Sequence, residues 1–131
     1  MDKPTRAEGI DVYIQFLNVA LTHAKEDPIS QLDANEIALL ETVALREFAN
    51  ESTMVTEVMA SRHLGSPATL HRRLSRLRKL GVLEVHSVPN DTRIKYLRVS
   101  PLVHDYFARM GKALLDLNQK QNDQKLKPPP Q

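Results

Sequence analysis

The chain has 131 residues, of which 41% are hydrophobic and 26% are charged, and its formal net charge at pH 7 is +2. This length and composition are typical of one globular domain. The sequence holds no apolar stretch of about 18 residues and no basic-then-apolar leader, so we expect a cytoplasmic protein without a membrane span. The absence of cysteine excludes disulfides, cysteine-ligated zinc and thiol redox chemistry.

Basic residues are concentrated in one part of the chain. Residues 62–98 hold nine lysines and arginines against two acidic residues, which gives a local net charge of +7. The rest of the chain holds nine basic and fourteen acidic residues, a net charge of −5. A positive field on one contiguous part of a domain indicates that this part contacts a polyanion.

The two ends differ from the middle of the chain. Residues 1–8 are polar, and residues 118–131 combine amides and lysines with three consecutive prolines, so both segments are predicted to be disordered tails. A single domain is expected over residues 9–117. Its first helix is predicted over residues 10–24, where apolar side chains form two neighbouring stripes and therefore need two packing partners.

Two further helices are predicted before the basic segment. Asp33 and Glu36 have the spacing of a capping box, which starts a helix that runs to about Ala49. Residues 50–53 are predicted to be a loop, and a shorter helix is expected over residues 55–63. The inward-facing side chains of the longer helix are predicted to be Ile37, Leu40, Val43, Ala44 and Phe48.

The segment "SPATLHRRLSRLRKLG", residues 66–81, predicts a helix with a basic outer surface. Ser66 suits the N-cap, Pro67 suits the first helical position, and Gly81 suits a left-handed C-cap. At 100° per residue, three leucines form an inner face and basic residues lie opposite or on the flanks. The inner residues are Leu70, Leu74 and Leu77; the outer ones are Ala68, Thr69, Arg72, Arg76 and Lys79, and the flanking ones are His71, Arg73 and Arg78.

The periodicity changes from helical to alternating after Gly81. Residues 83–87 and 93–99 are predicted strands, and residues 88–92 carry turn residues, so a β-hairpin with a basic tip is expected. Ser100 and Pro101 then repeat the cap-and-proline signal for a last helix, apolar around much of its circumference, over residues 101–117. The fold class is therefore mostly α with a small β-hairpin wing, in the element order of a winged helix-turn-helix flanked by N- and C-terminal dimerisation helices.

Three motifs, "MASRHLGSPATL", "HRRLSRLRKLGVLE" and "PNDTRIKYLRVS", give residues 32–100 a resemblance to the MarR family of transcriptional regulators. The resemblance implies that the basic helix enters the major groove of DNA and that the wing aspartate and arginine, Asp91 and Arg93, lie at the minor groove. Arginine can bind both acceptors of guanine, and a narrow minor groove attracts its charge. The implied DNA-binding residues are Ser66, Ala68, Thr69, His71, Arg72, Arg73, Arg76, Asp91, Arg93 and Lys95.

The same resemblance implies a homodimer built from the helices at residues 10–24 and 101–117. Two-sided apolar stripes at both chain ends favour this interface, although both helices could instead belong to the core of one chain. The residues expected at the interface are Ile10, Tyr13, Phe16, Leu17, Leu21, Tyr106, Phe107, Met110, Leu114 and Leu117.

These observations predict a sequence-specific double-stranded DNA-binding regulator, a dimeric repressor that contacts a pseudo-palindrome with helix 66–80 in the major groove and residues 88–93 in the minor groove. The alternative is a winged-helix adaptor whose basic face docks an acidic protein. Two simpler interpretations also stay open. In one, the basic helix presents an ordinary solvated charged face; in the other, Asp91 and Arg93 form a pair that only stabilises the turn. A helix that lies on a membrane surface needs a free apolar face. The apolar face of this helix is required by the protein core, so a membrane-surface helix is not expected.

No catalytic motif is present, so an enzyme is not expected. Glycine-rich phosphate loops, nucleophile elbows and clustered acid pairs are absent from the sequence. The five histidines lack metal-ligand spacing, so neither a metal nor another cofactor is expected. The sequence does not indicate whether a small-molecule effector controls binding.

Overall fold

The computed structural model describes residues 3–126, and it describes side chains for residues 3–120. The chain forms two compact units: a central unit of residues 27–104 and a terminal unit whose described residues are 3–26 and 105–126. Its mostly helical architecture with a small hairpin confirms the predicted fold class. The elements are α1 (Arg6–His23), a 3₁₀ turn (Ile29–Gln31), α2 (Ala34–Phe48), β1 (Thr53–Met54), α3 (Val55–Ala60), a second 3₁₀ turn (Arg62–Leu64), α4 (Pro67–Lys79), β2 (Leu83–Val88), β3 (Asp91–Val99) and α5 (Pro101–Leu126).

The core of the central unit is formed by apolar side chains of α2, α4 and the hairpin. The leucine face of α4 is buried as predicted, with exposed fractions of 1% for Leu70, 6% for Leu74 and 0% for Leu77. Gly81 ends this helix with a φ of 77°, the left-handed conformation that the sequence predicted. The other large contributors to this core are Leu39, Leu40, Val43, Val82, Leu83, Leu97 and Val99.

The sheet has three antiparallel strands in the order β1-β3-β2. In the hairpin Val85 pairs with Leu97 and His86 with Tyr96, and Val88 pairs with Asp91 across a two-residue turn. Strand β1 falls partly in the segment predicted as a loop. The sequence pattern does not predict this strand, because its pairing, Thr53 with Leu97, joins residues far apart in the sequence and leaves no local signal.

Helix α2 begins with the predicted capping box. Asp33 Oδ1 accepts from the Glu36 backbone N–H at 2.8 Å, and Glu36 Oε1 accepts from the Asp33 backbone N–H at 2.9 Å. The expectation that Phe48 faces inward is wrong, because its side chain is 65% exposed. Phe48 is the last residue of the helix, and its ring meets the edge of the His104 ring at a centroid distance of 5.7 Å.

In the terminal unit both helices are longer than predicted. Helix α1 starts at Arg6 because the Thr5 hydroxyl accepts from the Glu8 backbone N–H at 3.1 Å, so residues 6–8 are helical rather than a tail. Helix α5 continues to Leu126, and residues 118–126 are likewise helical because the first helix-breaking proline is Pro128. The remaining parts of the predicted tails, residues 1–2 and 127–131, lie outside the described residues.

The two helices of the terminal unit are joined by Glu26. Its carboxylate accepts from Arg109 Nη2 at 3.0 Å and lies 3.1 Å from His23 Nδ1. The hydrogen bond from Arg109 is the main cause that lowers the pKa of Glu26 below its ordinary value; desolvation opposes it, and the hydrogen bond with His23 adds to the lowering. Within the part of the chain that the structure describes, none of the helices is long and apolar enough to cross a membrane.

Leu77→Ala is expected to lower the free energy of unfolding by about 2–5 kcal/mol, because it leaves a cavity beneath the basic helix. Leu77 is fully buried, whereas Leu80 at the end of the same helix is only half-buried, so Leu80→Ala serves as the matched control with a smaller loss. Urea unfolding followed by circular dichroism measures both. Equal losses for the two variants would contradict the core position of Leu77.

Candidate nucleic-acid interface

A tight turn at Gly65 joins the second 3₁₀ turn to α4. The φ of Gly65 is 136°, a conformation that favours glycine, and an added Cβ would lie 3.4 Å from Thr69 Cγ2 and 3.5 Å from Arg73 Nη1. Arg73 Nη1 donates to the carbonyl oxygen of Leu64 at 2.9 Å. The Arg73 side chain, predicted to contact DNA, therefore closes the turn that sets α3 against α4.

The start of α4 carries two hydroxyl groups bound to each other. Ser66 Oγ accepts from the Thr69 backbone N–H at 3.2 Å and donates to Thr69 Oγ1 at 2.9 Å, and Pro67 occupies the first turn as predicted. Ser66 is exposed and Thr69 is half-buried. A helix N-terminus presents free N–H groups and a positive dipole, so this end of α4 suits an anion.

The outward face of α4 is formed by Ala68, Arg72 and Lys79. All three are exposed, and at 100° per residue Arg72 and Lys79 lie within about 20° of each other, two turns apart. Among the described residues neither Arg72 nor Lys79 has an ion pair or side-chain hydrogen bond. Lys79 is absent from the implied DNA-binding residues, although its helical angle already placed it on this face.

Arg76 occupies a different environment from Arg72. Its Nη1 forms an ion pair with Glu36 Oε1, and its Nη2 donates to the carbonyl oxygen of Gln31 at 2.7 Å. The Arg76 side chain is 44% exposed, so it lies on the outer side of α4 as predicted, but unlike Arg72 it is bound to partners within the chain. Helical angle alone does not distinguish Arg76 from Arg72, because the partner Glu36 lies 40 residues earlier in the chain.

The flank of α4 that faces β2 is also basic. His71 and Arg78 are exposed, and Arg78 and Lys79 line a surface groove of 570 Å³ together with Glu84 and other residues of β2. Arg78 was placed on this flank by its helical angle. It extends the positive surface of the helix toward the hairpin.

At the tip of the wing, Asp91 holds Arg93 through two side-chain hydrogen bonds. Arg93 Nε donates to Asp91 Oδ1 at 3.0 Å and Nη2 donates to Oδ2 at 3.2 Å, while the Arg93 backbone N–H donates to Oδ1 at 3.1 Å. These bonds lower the pKa of Asp91 and raise the pKa of Arg93. The Arg93 side chain is 88% exposed, so the carboxylate orients a guanidinium that projects into solvent. Lys95, two residues further on, is also exposed.

Asp91→Asn is expected to release the Arg93 guanidinium. Because the pKa of Asp91 is lowered, the pair stays formed above the ordinary aspartate pKa of about 3.9 and is lost as the pH falls through the lower folded value. The Nε–H resonance of Arg93 in NMR spectra, recorded at about pH 5 to 6, should therefore keep one chemical shift in the natural protein and exchange with water more slowly than that of an unpaired arginine. In Asp91→Asn it should exchange as fast as that of Arg62, an exposed arginine with no carboxylate partner among the residues whose side chains are described. A resonance as protected as in the natural protein would contradict the pairing.

The outer face of the hairpin carries a second basic group that sequence reasoning missed. The Arg98 guanidinium carbon lies 5.1 Å from the centroid of the Tyr96 ring, and the His86 ring stacks on Tyr96 at 5.9 Å. Glu84 Oε2 lies 3.0 Å from His86 Nε2. The alternating period of the strands places these residues on one face and could have identified them.

The terminal unit exposes an apolar surface on α1. No residue of α1 is buried, and five of its large side chains, Ile10, Val12, Tyr13, Ile14 and Leu21, are each more than half exposed. A groove of 590 Å³ is lined by Val12, Tyr13 and Phe16 of α1 and by Leu114 and Leu117 of α5.

The residues expected at a dimer interface do not all share this surface. Leu17, Phe107, Met110, Leu114 and Leu117 are half-buried. Tyr106 is 9% exposed and is thus already covered within one chain. Val12, Ile14 and Leu115 are exposed apolar side chains that the expected set omitted.

Helices α3 and α4 with the intervening turn, and the hairpin that follows them, form a winged helix-turn-helix within the central unit. This is the fold that the sequence resemblance implied. In the part of the chain whose side chains are described, no three histidine, aspartate or glutamate side chains stand close enough to hold a metal ion.

Solved structures of regulators share this fold at low sequence identity. The transcriptional regulator Tm0710 from Thermotoga maritima matches with a TM-score of 0.59 and 16% identity, over 92% of this chain and 80% of that one. The heme sensor protein PefR from Streptococcus agalactiae, in complex with heme, matches with a TM-score of 0.53 and 17% identity, over 91% of this chain and 80% of that one. No protein-family model and no curated protein sequence matches the chain.

Proposed function

We propose that the protein is a homodimeric, cytoplasmic repressor of transcription that binds double-stranded DNA in a sequence-specific manner. The observation that carries this proposal is the outward face of α4, where Arg72 and Lys79 are exposed and have no side-chain partner among the described residues. The opposite face of the same helix is buried through three leucines, so the helix is fixed while its basic groups stay available.

In this proposal α4 lies in the major groove. Arg72 donates two hydrogen bonds to O6 and N7 of a guanine, the pairing that the planar guanidinium fits best. Lys79, Arg78 and His71 lie toward phosphates. The free N–H groups at the start of α4 contact a phosphate of the same strand, and the Ser66 hydroxyl turns its proton from Thr69 Oγ1 to that phosphate when DNA binds. Thr69 contributes by holding Ser66, and Ala68 allows the helix to approach a base closely.

The wing supplies a second, shape-dependent contact. The Arg93 guanidinium, oriented by Asp91 and almost fully exposed, enters the adjacent minor groove, whose negative potential is highest where the groove is narrow. Lys95, on the same face of β3 as Arg93, lies toward the phosphates that border this groove. A guanidinium already held in one orientation loses less conformational entropy on binding than a free one.

The exposed apolar face of α1 and the groove between α1 and α5 support dimerisation. Large contiguous apolar surfaces are rare on monomers, and a two-fold dimer buries the same surface of both chains. Such a dimer would present two copies of α4 to half-sites about 34 Å apart, one turn of DNA, and so select a pseudo-palindrome.

Selection of bound duplexes from fragmented genomic DNA, followed by footprinting, tests this function. The expected result is a pseudo-palindromic site bound at least about 1,000-fold more tightly than unrelated duplex at physiological salt. Equal, weak affinity for every duplex would contradict it. Retention of one stoichiometric acidic protein after nuclease treatment, with no preferred duplex, would favour the adaptor instead.

A further inference from the structure

Glu36 is a buried carboxylate at the start of α2. It is 1% exposed, yet it is a member of the capping box, whose glutamate is commonly found on a helix surface. Its Oε1 accepts from the Asp33 backbone N–H, which accounts for one hydrogen bond. Burial of an ionised carboxylate is strongly unfavourable unless a cation and further hydrogen bonds compensate it.

The compensating cation is Arg76, which comes from the third turn of α4. One nitrogen of its guanidinium pairs with Glu36 and another donates to the carbonyl oxygen of Gln31. The guanidinium therefore joins α4 to two fixed points, the start of α2 and the 3₁₀ turn before it. Because the guanidinium is planar, two such bonds fix its orientation as well as its position.

The leucine face alone does not fix the rotation of α4 about its axis to within the tolerance of a hydrogen bond. Apolar contacts are non-directional, so a leucine stripe tolerates small rotations and slides of a helix. A rotation of about 20° moves a group about 6 Å from the helix axis by about 2 Å, which exceeds the tolerance of a hydrogen bond. The pair of Glu36 and Arg76 supplies the directional contact that the leucines lack.

We infer that Glu36 and Arg76 are positioning residues, whose ion pair fixes the rotation of α4 so that Arg72 meets its base. This inference rests on the proposed function. In this inference Arg76 acts through Glu36 and Gln31 rather than as a base or phosphate contact, because both of its terminal nitrogens already donate within the protein. The pair determines the preference between duplexes rather than the overall attraction to DNA.

The test compares Glu36→Gln, Arg76→Lys and the double variant Glu36→Gln/Arg76→Gln with Arg72→Ala. Each is measured for the ratio of affinities for the selected and an unrelated duplex, for the salt dependence of binding, and for amide hydrogen exchange of α4 without DNA. We expect Glu36→Gln to lower the affinity ratio at least tenfold and to speed exchange in α4. Arg76→Lys, which keeps the charge but loses the planar geometry, should do the same. The double variant restores a neutral hydrogen bond and should recover much of both losses.

Salt dependence separates positioning from direct contact. Loss of a phosphate contact reduces the slope of log K against log salt by about 0.9, so the slope should stay unchanged in Arg76→Lys and should not decrease in Glu36→Gln. Arg72→Ala should lower the affinity ratio with no change in exchange of α4. A purely stabilising role would shift the melting temperature and leave the affinity ratio unchanged, which would overturn the inference.

Two further results would also overturn it. The first concerns a further variant, Arg76→Ala, measured in the same way: a slope that falls by about 0.9 with unchanged exchange of α4 would make Arg76 a phosphate contact. The other is unchanged exchange of α4 in both Glu36→Gln and Arg76→Lys. If the natural protein prefers no duplex, the proposed function fails, while hydrogen exchange still decides whether the pair fixes α4.

Discussion

Arg72→Ala is expected to weaken binding to the selected duplex by about 1–3 kcal/mol, a factor of about 5 to 150, because it removes two hydrogen bonds to one base pair. Binding to unrelated duplex should change much less. Fluorescence anisotropy with both duplexes at one fixed salt concentration measures the difference. The variant should fold normally, since Arg72 is exposed and bonds to no other side chain in the described part of the chain.

Lys25→Ala provides the matched control for this prediction. Lys25 is an exposed cation outside the central unit, so its removal changes the net charge equally without touching α4. Replacing the guanine that Arg72 contacts should weaken binding of the natural protein by the same factor. Arg72→Ala tested on the duplex without that guanine should lose no more affinity than either change alone. Equal losses on every duplex would make Arg72 a phosphate contact, and unchanged binding would remove this face of α4 from the interface.

Leu21→Glu is expected to raise the dissociation constant of the dimer by about 100-fold, because two symmetry-related carboxylates would be buried without partners. Leu21 is 65% exposed in the single chain, so the substitution should leave the fold of each protomer intact. Sedimentation velocity across a protein concentration series measures the shift. Affinity for the pseudo-palindrome should fall as the fraction of dimer falls, while affinity for a single half-site should stay unchanged.

Leu45→Glu is the control for this second prediction. Leu45 is 75% exposed, lies in the central unit on α2, and receives the same change of leucine to glutamate. It should leave both the oligomeric state and DNA affinity unchanged. A Leu21→Glu protein that sediments like the natural dimer would place the interface elsewhere.

The basic helix was predictable because its signals are local. Ser66, Pro67 and Gly81 mark its ends, and the spacing of three leucines determines which side is buried. The same holds for the hairpin and for the pair of Asp91 and Arg93, which lie two residues apart. Features set by neighbours along the chain need no knowledge of the fold.

The features that could not be predicted depend on residues distant in sequence. The role of Arg76 follows from a glutamate 40 residues earlier, and α4 carries three other arginines that helical angle alone did not separate from it. Strand β1 exists only through its pairing with β3. The helical period predicts Phe48 to be a core residue. It is exposed because it is the last residue of α2, where the helical period no longer determines burial.

Ala68 has a consequence for how this protein can change over evolutionary time. It is exposed in the first turn of α4, in the same row as Arg72, and its methyl group takes part in no polar contact. Replacement by serine, glutamine or asparagine would cost the fold little, since such helix positions tolerate these residues within about 1 kcal/mol. Under the proposed function, a single codon change at this position would therefore alter the duplex preference of a duplicated copy while its scaffold stays the same.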